Sequence, residues 1–303
     1  MDSGHWKRAR TLVDARLHSN PNDATALYLS SKVAASFGDL DKGLILAQRA
    51  VSLDPHSPDY LAQLAEMHAR LADHVSVVKQ ILYVRQLHKE IDTALAIDPR
   101  HADTYLVDIM FLSKAPLLAG GDRKRAHALA DELARFNPGW GYLVQARLAE
   151  QEKDDPKIER ALTNAIAAEP SSYSARYYLA KFDCCVAASH RFEAAERVAR
   201  EAIRLDPNQS GAYEILARVF VYQQRWAELE AILSEAEAKV PDDLASYYYA
   251  ADTLIEQGRD FNRAERFLRK YLSQEPEGRQ PTASQGRQLL ARVTPRKNMA
   301  AGL

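Results

Sequence analysis

An all-α chain, folded as a right-handed α-solenoid of antiparallel helix pairs, is the fold class this sequence predicts, on three observations. First, Ala, Leu, Arg and Glu dominate, the 303 residues hold only 12 Gly and 13 Pro, and β-branched runs are missing; these are helix-forming choices. Second, one pattern recurs: GDLDKGLILAQRAVSLDP at 38–55 returns as HRFEAAERVAREAIRLDP at 190–207 and as RAHALADELARFNP at 125–138. Third, helix-ending prolines fall at Pro21, Pro55, Pro99, Pro138, Pro170, Pro207, Pro241 and Pro276, at intervals of 34, 44, 39, 32, 37, 34 and 35 residues. A near-constant period of this size marks a repeat array, and it suits a chain whose length is at the upper bound for one core.

The repeating unit follows from local chemistry. Gly38 tolerates a positive φ and Asp39 caps the helix that follows. Leu40, Leu44, Ala47, Ala50 and Val51 then place one apolar stripe on that helix. Asp54-Pro55 ends it, because proline disfavours the α conformation in the residue before it.

Taken in order, the chain opens on a half repeat at 3–21, since His5 to Ala9 align with the start of a second helix. Trp6, Leu12 and Val13 would then stand partly uncovered, because a repeat buries its apolar side only on its neighbours. That predicts a longer precursor, or self-association through this helix. Full repeats follow at 24–55, 58–99, 102–138, 141–170, 173–207, 210–241 and 244–276. Two are long. In one, VSVVKQILYVRQLHKEIDTALAI at 75–97 has neither Gly nor Pro and reads as a single extended helix. In the other, APLLAGGD at 115–122 ends a helix at Pro116 and makes a loop at Gly120-Gly121. The unit 141–170 is short, with EKDDP at 152–156 as its turn. Leu289, Leu290 and Val293 give a capping helix at 279–293, and 294–303 reads as a flexible tail. The whole of 3–293 is expected to be one superhelix.

The positions within the repeat are specific. Tyr213, Leu216, Ala217 and Phe220 form a W-x2-L-G-x2-Y-like set. Leu179-Ala180, with Ala195, Ala199 and Ala202, repeat it, as do Ala250-Ala251, Leu254, Gly258 and Ala264. On these residues the chain resembles the tetratricopeptide-repeat proteins over about 1–293. The extended helix together with the A-P-x-x-x-G-G loop resembles a bacterial subgroup of them.

Little in the sequence points to catalysis. His68 and His74 are six residues apart and so on different helical faces, and no HExxH or CxxC occurs, so no metal site is expected. Each histidine reads as a surface or interface residue. No G-x-S-x-G or phosphate-cradling glycine loop is present. Cys184 and Cys185 are adjacent and read as small thiols that do not pair, since neighbouring helical positions diverge. The chain is therefore expected to be no enzyme and to carry no cofactor.

Lys plus Arg is 40 against 41 for Asp plus Glu, which lacks the basic excess of a nucleic-acid binder. No apolar run has the length of a membrane span. The start within a repeat fits a removed leader and an extracytoplasmic location; a cytoplasmic one stays open, and the compartment is unknown from sequence.

What the resemblance implies is a concave groove lined by the first helix of each pair, at about positions 2, 5, 9 and 12–13. Carried onto this chain, those positions are Tyr28, Lys32, Glu66, Arg70, Met110, Lys114, Tyr142 and Gln145, then Tyr177, Lys181, Glu214, Arg218, Tyr222, Tyr248 and Asp252. Tyr and Arg are suited to such contacts. The expected partner is another protein or peptide; nucleic acid is not expected, because Glu66, Glu214 and Asp252 mix the sign of the groove. The alternative reading is a small-ligand or lipid carrier that uses the same cavity. First helices without Asn argue against a clamp for a C-terminal carboxylate.

Overall fold

The computed structural model of the chain describes residues 5–72, 74–187, 190–278 and 280–300, the last seven of these as backbone. Sixteen α-helices and no strand occur among the described residues. Where the sequence reads one superhelix, close contacts group the described residues into two compact units: Trp6–Ala168, and His5 with Glu169–Ala300.

The first unit holds α1 (Trp6–Ser19), α2 (Ala24–Ser36), α3 (Leu40–Leu53), α4 (Pro58–Ala72) and α5 (Val77–Ile97). It continues with α6 (Ala102–Lys114), α7 (Arg123–Phe136), α8 (Pro138–Glu152) and α9 (Asp155–Ala168). The second holds α10 (Tyr173–Lys181), α11 (Phe192–Leu205), α12 (Gly211–Tyr222), α13 (Trp226–Lys239), α14 (Ala245–Glu256), α15 (Phe261–Tyr271) and α16 (Ala283–Ala300).

Caps and prolines set the helix boundaries. The carboxylates of Asp23, Asp39 and Asp122 accept from the amides of Ala26, Lys42 and Arg125 at 2.9, 3.1 and 2.9 Å. Asp54, Asp98 and Asp206, each before a proline, are extended and end α3, α5 and α11. α5 is 21 residues long, as the run without Gly or Pro predicts. α16 runs to Ala300, seven residues beyond the expected cap, so the chain is helical where a flexible tail was expected; 301–303 lie outside the described residues.

Small residues sit where helices cross. In the first unit Ala26, Ala50, Ala65, Ala126 and Ala130 are wholly buried. In the second, Tyr213, Leu216, Ala217 and Phe220 are at most 1% exposed and join Ala195, Ala199 and Ala202 in one core. The repeat signature is thus a packing signature. At the amino-terminal half repeat, Val13 is buried whereas Leu12 is 69% exposed.

Two local expectations are corrected. Cys184 and Cys185 are joined as a disulfide. They lie in a π-helical turn, Phe182–Val186, and not in the regular α-helix on which their separation was argued. His68 is no surface residue: it is 4% exposed, with Nδ1 2.9 Å from Glu90 Oε2 and its ring 5.2 Å from that of Tyr83. The long α5 brings Glu90 across α4 at this point.

Candidate functional site

The two departures from the repeat period meet at one place in the first unit. After α6, Ala115 turns extended, Leu117–Ala119 form a 3-10 turn, and Gly120 takes φ +94°. The amides of Gly121 and Asp122 return to the carbonyls of Pro116 and Leu112 at 3.0 and 2.9 Å. Gly121 tolerates no side chain, since a Cβ there would lie 1.8 Å from the Ala115 carbonyl oxygen. The loop closes over α5, where the His88 ring meets Phe111 edge-on at 5.5 Å.

Between α4, α5, α6 and this loop lies an open cavity of about 420 Å³. Four of the residues expected in the groove line it together: Glu66, Arg70, Met110 and Lys114. Val84, Leu106, Val107 and Phe111 supply its apolar wall, and Arg147 of α8 reaches it as well. Arg70 is held in place by its own helix and by α2: it bonds Glu66 at 3.4 Å and the Ala35 carbonyl at 2.9 Å. A fixed guanidinium beside apolar walls can orient a carboxylate while an apolar side chain fills the space.

Tyr28 and Lys32 form a separate cluster on α2. Lys32 Nζ donates to the Tyr28 hydroxyl at 3.0 Å and lies 3.9 Å from Asp103, while the Tyr28 ring packs on Tyr60 at 5.3 Å. Burial pushes the Tyr28 hydroxyl up in pKa, with the Lys32 charge opposing. Burial opposes the charge on Lys32, but the Tyr28 oxygen and the nearby carboxylates raise its pKa overall. Tyr142 and Gln145 do not line the cavity; Gln145 bonds Asp131 of α7 at 2.8 Å instead. α8 begins at Pro138, and its register turns position 147 inward where sequence reasoning placed 142 and 145. Arg147 stands between the apolar Ala146 and Leu148, off the repeat positions from which the groove residues were chosen, so it was not legible beforehand.

In the second unit the first helices α10, α12 and α14 carry the remaining candidates. Arg218 pairs with Asp252 at 3.5 Å and lies over the Tyr249 ring at 4.7 Å. Burial and the neighbouring Glu256 raise the Asp252 pKa, against the pull of Arg218. The Tyr222 hydroxyl meets Glu256 at 3.5 Å, and its ring stacks on Phe192 and His190 at 5.1 and 5.5 Å. Tyr177 presses on the α12 backbone: a Cβ on Gly211 would lie 2.8 Å from its ring. Burial first, then Glu214, pushes the Tyr177 hydroxyl well up in pKa. Lys181 is half-buried at the end of α10.

Tyr248 is the one clear misplacement. It is 8% exposed and packs on Tyr271 at 5.3 Å, inside the core. Tyr249, which the repeat numbering passed over, takes the place under Arg218. Three consecutive tyrosines, 247 to 249, sit 100° apart around α14, and a one-residue error in register exchanges them.

The fold also assembles a group the sequence does not announce. In the second unit His5, Asp242 and Glu277 have ligand atoms all within 4.8 Å of one another. All three are already engaged by polar or electrostatic partners.

The family described as tetratricopeptide repeat matches residues 1–58. Over these residues the chain is similar to that family, and its fold is an all-α array of helix pairs. Yeast Tom70 is similar in structure over 98% of this chain and 59% of its own, with a TM-score of 0.63 and 15% identity. The chain thus spans about three fifths of the length of that neighbour. A tetratricopeptide repeat protein from Parabacteroides merdae matches 89% of this chain and 98% of its own, with a TM-score of 0.50 and 15% identity. No curated protein sequence matches. At these identities the likeness is one of fold.

Proposed function

We propose that the chain is a non-catalytic scaffold that holds a segment of another protein, with the cavity between α4, α5 and α6 as its principal docking point. One observation carries this reading: Glu66, Arg70, Met110 and Lys114, chosen from the repeat pattern, line one cavity together with Arg147. Stacked repeats present extended binding surfaces as a matter of geometry. An apolar wall with three cations at the rim and one carboxylate favours a peptide that carries an apolar anchor next to an acidic residue. Arg218, Asp252 and Tyr249 of the second unit offer polar and aromatic contacts along its own first helices.

The test is selection from a random peptide library on the full chain, followed by anisotropy titration of an enriched peptide. An acidic-apolar consensus is expected, with affinity lowered at least about tenfold, or ~1.4 kcal/mol, by Arg70→Glu with Lys114→Glu. An enriched peptide that binds the double variant as well as the wild type would refute the placement. A volume of about 420 Å³ also lies within the range of small-ligand sites, which keeps the carrier reading. Native mass spectrometry of the purified chain decides between them, since a carrier retains a small molecule and a peptide scaffold does not.

A further inference from the structure

Thirteen large hydrophobic residues are exposed among the described residues, and seven of them lie in the two segments that break the repeat period, six of these in the first two turns of α5 and the 3-10 turn. Val77, Val78, Ile81 and Leu82, on the first two turns of α5, are 50–71% exposed. Leu117 and Leu118, in the 3-10 turn, are 83% and 102% exposed. The two segments adjoin, because Gln80 and Val84 of α5 share a cavity with Pro116 and Ala119 of the loop.

α5 is apolar on two opposite sides. Leu87, Ile91 and Ala94 are buried against the repeat. The four exposed aliphatics occupy the other side, and the same face continues into Arg85 and Lys89, at the i, i+4, i+7, i+11 spacing from Val78. Between His74 and Lys89 the chain has three cations, Lys79, Arg85 and Lys89, and no acid. The loop leads into Arg123 and Lys124, and its one acid, Asp122, is spent capping α7.

We propose that this face docks on the surface of an anionic lipid bilayer. The aliphatic tips enter the boundary between headgroups and acyl chains, and the cations lie at headgroup level, the arrangement of interfacial amphipathic elements. The charge of the face selects an anionic surface. A wholly exposed Leu118 stands out as a tip, which a deformable bilayer admits without a matching hollow; a folded protein partner would need one. Peptide docking in the neighbouring cavity is a separate matter and is not required.

Flotation of the full chain with vesicles tests this, comparing pure phosphatidylcholine with a mixture containing roughly 30% phosphatidylglycerol. The expected result is flotation with the anionic vesicles, weakened by salt and about tenfold lower on phosphatidylcholine alone. Two variants, Leu117→Asp with Leu118→Asp and Val78→Asp with Leu82→Asp, should each cut the bound fraction about tenfold. All four positions are solvent-exposed, so unchanged circular dichroism and melting are expected to accompany the loss. Arg85→Glu with Lys89→Glu should abolish the preference for anionic lipid, and Arg70→Glu with Lys114→Glu should leave flotation largely intact. No flotation of folded wild-type chain would overturn the proposal, as would equal flotation of the aspartate variants. Sedimentation showing instead a dimer dissolved by those variants, or capture of an acidic peptide by this face without flotation, would also overturn it.

Discussion

Gly141→Ala is the sharpest test of how the helix pairs are held. In an ordinary helix the change would be favourable by about 1 kcal/mol. Here a Cβ would lie 2.3 Å from the Ala134 Cα and 2.4 Å from its nitrogen, on the backbone of α7. Carbon atoms rest at about 3.5–4.0 Å, so α7 and α8 must separate by more than an ångström locally. Overpacking of this kind costs about 1–3 kcal/mol, and backbone has no rotamer into which to retreat. Because the contact is with backbone the cost sits at the upper end of that range, and the expected net loss is up to about 2 kcal/mol once the propensity gain is subtracted. Gly43→Ala is the matched control, since its Cβ would meet chiefly the flexible Met67 side chain, with Sδ at 2.9 Å. That variant should fall within about 0.5 kcal/mol of wild type. Urea unfolding followed by circular dichroism measures both. A Gly141→Ala chain as stable as the Gly43→Ala chain would refute the argument that close approach at this crossing sets the pairing.

Tyr248→Ala should cost about 3 kcal/mol in the same assay, yet leave titration of a groove-binding peptide unchanged, because the ring packs on Tyr271 inside the core. Glu90 carries a pH prediction. Burial raises its pKa above the ordinary 4.5, although His68 pulls the other way. The folded state then binds the proton more tightly than the unfolded one, so this stabilisation is complete below about 4.5 and is lost as pH rises through the folded value. Glu90→Gln keeps a hydrogen-bonding partner for His68 and should flatten that part of the stability profile; an unchanged slope in denaturant titrations across the window would count against it.

Local chemistry alone determined the all-α repeat architecture. Asp-Pro steps end helices, capping aspartates start them, and alanines at helix crossings report close packing, all within a few residues of one another. The same locality made the extended α5 and the Pro116 loop legible as departures from the period. Register around a helix was less secure, because neighbouring positions differ by 100°: Tyr248 went inward, Tyr249 took its place, and Arg147 entered the cavity unannounced. The pairing of His68 with Glu90, 22 residues apart, needed α5 to lie across α4. Only tertiary structure could bring the two long insertions together, for their meeting depends on how successive helix pairs stack and on no pattern within either segment. The sequence marked each insertion; stacking made them line one cavity.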